Sequence, residues 1–209
     1  MSSGIRKRVN SLEGQAISLL DAGAGQQPYR RLIESLGVTY KSHDFNSYVP
    51  KLVDAGLHTE EWPHLEHDYV CDLLDLPVSK SYDIVLCTEV LEHVPDPVAA
   101  ITHLAKLVRP SGYLIVTAPL LSLIHQAPYH FSSGLTPFWY QHWLPKNNLE
   151  IVELAQHGDY ADLLSQEFRR LSRLPGIIQK PLAKLIRPFI SRETANSGGF
   201  SVFVCAKKI

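Results

Sequence analysis

Residues 16–25 read Ala16-Ile17-Ser18-Leu19-Leu20-Asp21-Ala22-Gly23-Ala24-Gly25, and the fold follows from how this stretch ends. An apolar run that stops at an acid and two glycines is a buried strand turning sharply into another element. Downstream, Tyr29, Leu32, Ile33 and Leu36 recur at helical spacing, and Gly37 supplies the stop. The sequence around 16–37 is therefore a strand, a glycine turn and a helix.

That unit repeats. Val38 to Ser42 predicts a second strand closed by His43-Asp44, followed by a short helix over Ser47 to Ala55. Tyr69 to Cys71 predicts a third strand ending at Asp72, and Tyr82 to Cys87 a fourth. Asp96 can cap the next helix, with Pro97 in its first turn and Val98, Ile101, Leu104, Ala105 and Val108 on one face. Lys106 and Arg109 fall in its last turn, where cations meet the helix dipole favourably, before Pro110. Gly112 to Ala118 is the fifth strand. Thr136-Pro137 opens a helix carrying Phe138, Trp139, Tyr140 and Trp143, and Leu149 to Leu154 and Phe200 to Ala206 close the set. Strands alternating with helices demand right-handed crossovers. The expected fold is α/β, a doubly wound, mostly parallel seven-stranded sheet with helices on both faces, in one domain over residues 1–209.

The chain has 209 residues, enough for one well-filled core. Its net charge of −1 provides no overall field to attract nucleic acid, so no nucleic-acid partner is expected. Cys71, Cys87 and Cys205 are too scattered for a disulfide framework or a CxxC metal pair. Met1 to Gln15 is polar and basic without a signal-like apolar core, and no apolar run is long enough to span a membrane. The expectation is a reduced, cytoplasmic protein.

In open parallel sheets ligands gather beyond the carboxyl ends of the strands. At the first such end, Gly23 and Gly25 allow close backbone approach, and the next helix presents unpaired N–H groups. A dinucleotide fingerprint would want glycine or alanine three residues after Gly25, where Pro28 stands, which disfavours NAD. S-adenosylmethionine asks less of this turn, and Asp21 can accept from its amino group. Asp44 follows the glycines at the spacing that reaches ribose hydroxyls. Asp72-Leu73 offers a carboxylate for an adenine amine and an apolar side chain for its ring. A single loop aspartate more often caps a turn; three at successive strand ends point to one ligand.

These segments together resemble the class I S-adenosylmethionine-dependent methyltransferases. Asp21-Ala22-Gly23-Ala24-Gly25 looks like that family's first motif, and Cys71-Asp72-Leu73-Leu74-Asp75-Leu76-Pro77 like its adenine-binding segment. Tyr82-Asp83-Ile84-Val85-Leu86-Cys87-Thr88-Glu89-Val90-Leu91-Glu92-His93-Val94 matches its fourth strand and following loop, and Val108-Arg109-Pro110-Ser111-Gly112-Tyr113-Leu114 its turn into the fifth. The resemblance covers roughly residues 16 to 120. It implies an S-adenosylmethionine site formed by Asp21, Ala22, Gly23, Gly25, Asp44, Phe45, Asp72, Leu73, Thr88 and Glu89. The chain departs from the family at Gln27, where a third glycine is frequent. Ala127-Pro128-Tyr129-His130-Phe131 and Trp139-Tyr140-Gln141-His142 are similar to members found with saccharide-biosynthesis enzymes, which implies a saccharide or glycan-related acceptor.

Methyl transfer to a hydroxyl or amine calls for a proton acceptor as well as alignment. His93, His125 and His130 sit in the segments expected above the fourth and fifth strands, with His130 the first choice as base. Tyr129, Trp139 and Tyr140 could flank the substrate or face the sulfonium. His58, His64 and His67 form no convincing ligand set, and no metal is expected. A non-catalytic cofactor-binding module of the same fold is the competing reading.

A basic helical insertion is expected at about 161–192. Arg169, Arg170, Arg173, Lys180, Lys184, Arg187 and Arg192 accompany Ile178, Leu182, Leu185, Ile186 and Phe189 at helical spacing. Such a stretch can lie on an anionic membrane surface, pack on the sheet or form a dimer contact.

Overall fold

The computed structural model describes residues 2–12, 16–48, 57, 64–171, 185 and 187–209. Its seven strands are β1 (Ser18–Ala22), β2 (Thr39–Asp44), β3 (Tyr69–Val70), β4 (Tyr82–Thr88), β5 (Val108–Pro119), β6 (Leu149–His157) and β7 (Ser201–Lys208). They form one sheet in the order β3-β2-β1-β4-β5-β7-β6. The first five run parallel, while β7 lies antiparallel between β5 and β6. Strand order reverses between β1 and β4, the place where such a sheet opens a crevice.

The helices are α1 (Ser2–Ser11), α2 (Arg30–Ser35), α3 (Pro97–Leu107), α4 (Pro137–Lys146), α5 (Tyr160–Leu171) and α6 (Arg192–Ser197). Successive residues of β1 and β4 feed opposite faces of the sheet, which is why these strands read as unbroken apolar runs. Leu20, Val85, Cys87, Leu114 and Val204 pack with Ile101, Leu104, Tyr140 and Leu144. Leu19, Ile84, Leu86, Ile115 and Phe203 pack with Ile5, Val9 and Ile33 on the other face.

The punctuation of α3 is as the residues imply: Asp96 accepts from the Val98 and Ala99 N–H groups, and Pro97 opens the first turn. Its end differs. Val108 is not on the helix face but starts β5, in register with Tyr82 of β4. Arg109 is not a helix-terminal cation but pairs with the buried Asp83, which also accepts from the Ser18 N–H and Oγ. The amino-terminal stretch, polar in sequence, forms α1 and buries Ile5 and Val9. Arg8, only 6% exposed, donates from Nε to Cys205 Sγ (3.1 Å) and from Nη2 to Glu153 (2.9 Å). Two apolar residues four apart make too thin a stripe to stand out in a sequence.

The short helix expected over Ser47 to Ala55 lies mostly outside the described residues. So do Arg173, Ile178, Lys180, Leu182, Lys184 and Ile186 of the basic insertion. Among the described residues, no helix is long and apolar enough to cross a membrane.

Candidate active site

The glycine turn is held in place from the neighbouring strand. Gly23 has φ +75°, and a Cβ there would stand 2.3 Å from Val90 Cγ2, so the position admits only glycine without rearrangement. The Gly23 and Ala24 N–H groups donate to the His43 carbonyl, and Gly25 N–H donates to Asp44 Oδ2 at 3.0 Å. Asp44 Oδ1 accepts from Asn46 N–H at 2.8 Å. Gly23 N–H also approaches His43 Nδ1 (3.3 Å), while His43 Nε2 meets the Cys71 carbonyl at 3.0 Å. These contacts select the Nε2–H tautomer, with Nδ1 as acceptor. Burial, the largest influence, pushes the His43 pKa down and keeps the ring neutral. His43 thereby ties the ends of β1, β2 and β3 together; the sequence marks it only as a neighbour of Asp44.

Gln27 occupies the place of the missing third glycine and takes a glycine-like backbone, with φ +53°. Its amide donates to the Glu66 carbonyl at 2.8 Å and lies 3.3 Å from His67 Nδ1. A side-chain anchor here stands in for conformational freedom.

A cleft of about 410 Å³ opens beside this turn. Gly23, Gly25, Asp44, Phe45, Asp72, Leu73 and Glu89 line it, as the sequence implies. Asp72 does two things at once: Oδ1 accepts from Leu74 N–H at 2.9 Å, capping a short 3₁₀ turn, and the residue faces the cleft. Glu89, also at positive φ, accepts from Ser201 Oγ at 3.2 Å. The far wall carries His93, Gln126, Tyr129 and Phe131. Phe45 and Tyr48 each meet the Tyr129 ring edge-to-face, at centroid distances of 5.3 and 6.0 Å.

Residues 2–167 match a family model described as a methyltransferase domain. The chain belongs to the class I S-adenosylmethionine-dependent methyltransferases. Among curated relatives, it is 30% identical over 175 residues to the ubiquinone biosynthesis O-methyltransferase of Xanthomonas axonopodis pv. citri, covering 81% of this chain and 70% of that enzyme. The enzyme of the same name from Xanthomonas campestris pv. campestris (strain B100) is 30% identical over 168 residues, 78% of this chain and 66% of the relative. The chain thus spans about two thirds of the length of these relatives. In fold it is similar to an S-adenosylmethionine-dependent methyltransferase from Archaeoglobus fulgidus (17% identity, TM-score 0.61, 99% and 92% of the two chains). It also resembles the magnesium protoporphyrin IX methyltransferase of Synechocystis PCC 6803, solved with S-adenosylmethionine (16% identity, TM-score 0.55, 99% and 77%).

The methyltransferase fold places the remaining expected residues unevenly. Asp21 lies beneath the turn rather than on the cleft wall, 1% exposed, with Oδ2 accepting from Tyr40 Oη at 2.7 Å. Burial pushes its pKa up to about 6, partly opposed by the Tyr40 hydrogen bond. Its Oδ1 is buried without a partner. Ala22 and Thr88 end their strands short of the wall. Tyr140 is not a substrate contact: it is fully buried among Ile101, Leu104 and Leu144, because α4 turns that side chain toward the sheet. Trp139 leans on the same core.

His93, His125 and His130 come together. Their ring centroids lie 4.8 Å (His93 to His125), 4.6 Å (His125 to His130) and 6.0 Å (His93 to His130) apart. His93 Nδ1–H donates to the Tyr129 carbonyl, leaving Nε2 as an acceptor. Burial, chiefly, lowers its pKa to about 4, so the ring is neutral at physiological pH.

Proposed function

We propose that this methyltransferase transfers a methyl group to a hydroxyl on an aromatic or otherwise apolar small molecule. What carries the reading is one cleft with two unlike sets of lining residues. Its lining combines Gly23, Gly25, Asp44, Asp72 and Leu73 with aromatic rings and the imidazole of His93.

The residues present fit the cofactor: Gly23, Gly25 and Asp44 line the cleft together with Asp72 and Leu73. S-adenosylmethionine, when bound, supplies an electrophilic methyl group on a sulfonium. Asp44 would hold the ribose hydroxyls, and Asp72 with Leu73 the adenine. Tyr48, Tyr129 and Phe131 wall off the rest of the cleft and seat the acceptor against rings, removing water that would compete. The incoming hydroxyl can donate to His93 Nε2; of the three clustered histidines, His93 is the one that lines the cleft, and His130 stands off its wall.

The relatives' role in ubiquinone biosynthesis supports a ring hydroxyl. A saccharide acceptor loses the platform expected of Tyr140, which lies in the core. Labelled methyl transfer across phenols, catechols and saccharides decides the matter: turnover with hydroxylated rings and not with saccharides is expected. Tyr129→Ala should raise the acceptor KM about tenfold and move cofactor affinity less. Cofactor binding without transfer to any acceptor would favour a non-catalytic module and overturn the reading.

A further inference from the structure

We propose that His93, His125 and His130 form a binding site for a divalent cation of the zinc class, with one coordination position open toward the acceptor end of the cleft. The placing of the acceptor's oxygen at that position rests on the function proposed above; the cation site itself does not.

The three rings each offer a nitrogen within 4.8 Å of the other two. A tetrahedral zinc ion with Zn–N bonds of about 2.0–2.1 Å needs its nitrogens roughly 3.3 Å apart. Closing the cluster asks for side-chain movement of about an ångström and no change of fold. The outer shell is already that of a metal site. His93 Nδ1 donates to the Tyr129 carbonyl, and His125 Nδ1 lies 2.9 Å from the Leu123 carbonyl. Such carbonyl contacts at Nδ1 orient the rings, as outer partners of metal-bound histidines do. His130 has neither ring nitrogen hydrogen-bonded, although both are shielded from solvent. Two such atoms with nothing to satisfy them are costly unless something binds there.

A second observation comes from a different residue. Glu92 is 1% exposed, and neither carboxyl oxygen has a hydrogen-bond partner. Its Oε1 stands 3.7 Å from His93 Nε2. A buried carboxyl group beside three imidazoles supplies, once ionised, the negative charge a dication requires, as an outer partner.

The loop bearing two of the ligands is tied to the third. Phe131 and Ser132 N–H groups donate to the Glu92 carbonyl at 2.8 and 3.2 Å. Leu57 bridges His125, donating to the Ile124 carbonyl and accepting from Gln126 N–H. His93 and the neighbours Gln126 and Tyr129 line the cleft, so a cation here would stand at its edge. Three neutral nitrogens with an open fourth position suit a metal that polarises an oxygen.

The test uses the full chain, stripped with chelator and titrated with Zn²⁺ or Co²⁺. Expected are one ion bound per chain and, for Co²⁺, the intense visible absorption of a tetrahedral nitrogen-rich site. His125→Gln and His130→Gln should each weaken binding more than about 100-fold, beyond what loss of an outer partner costs. In the metal-free state both should keep the wild-type melting curve and calorimetric affinity for S-adenosylhomocysteine. Stoichiometry far below one, or a Co²⁺ spectrum that survives His130→Gln, overturns the cation site. Failure of the wild-type chain to bind S-adenosylhomocysteine would instead sink the methyltransferase reading and leave the metal result standing.

Discussion

At the glycine turn, Gly23 and Gly25 are held by His43 and Asp44 from the adjoining strand of the sheet. In the histidine cluster, by contrast, His93, His125 and His130 come from two segments joined by a few backbone hydrogen bonds. The first region inherits its geometry from parallel register. Once β1 and β2 pair, with Asp21 opposite Ser42 and Ala22 opposite His43, the turn and its acids have one place to go. The second depends on contacts between segments distant in sequence, and its polar groups, Glu92 and His130, are left with unmet hydrogen-bonding capacity. The glycine turn is fully tied down by the sheet, whereas the histidine cluster keeps polar groups without hydrogen-bond partners.

Four substitutions test that contrast. Asp44→Ala removes a charged acceptor from two backbone N–H groups and from the cleft. At about 1.5–3 kcal/mol for each hydrogen bond to a charged group, cofactor affinity should fall roughly 100-fold or more. Calorimetry reads this directly, and an unchanged affinity would place the ribose elsewhere.

Asp21→Asn acts on stability. Burial raises the Asp21 pKa from 3.8 to about 6, so the folded chain binds a proton more readily than the unfolded one. Stability present below pH 3.8 is therefore lost as pH rises through about 6. Asparagine cannot ionise and can still accept from Tyr40. The variant should gain on the order of 3 kcal/mol over wild type at pH 7.5 and little at pH 4. Equal melting shifts at both values would show that the carboxylate is not strained by burial.

Gly23→Ala adds a methyl 2.3 Å from Val90 at a positive φ. A loss of roughly 1–3 kcal/mol is expected, with weaker cofactor binding. Adding Val90→Ala should recover the part due to the clash and not the part due to the backbone. Full recovery would mean that φ matters little here.

Tyr140→Phe should do least. The hydroxyl is buried with no hydrogen-bond partner, so its removal should change stability by less than about 1 kcal/mol and leave turnover as it was. A large drop in kcat would return Tyr140 to the acceptor site.

The parts legible in the sequence share a physical origin. Strands buried on both faces, the Asp96 cap, the glycines and the acids at strand ends are local signals, each set by a few consecutive residues. Helix α1 escaped because two apolar side chains do not make a readable stripe. Tyr140 was misplaced because composition does not say which way a helix faces. His43 carried no signal beyond its position, since its role exists only when three strand ends meet.

From the sequence alone came the α/β class, the strand-end acids and the cofactor that the family motifs imply, because hydrophobic period and turn chemistry act over short distances. Tertiary structure alone decided that Asp21 lies under the turn, that Tyr140 is core, and that three histidines come together with His93 on the cleft wall. Those outcomes depend on how loops return across the sheet, which no local spacing encodes.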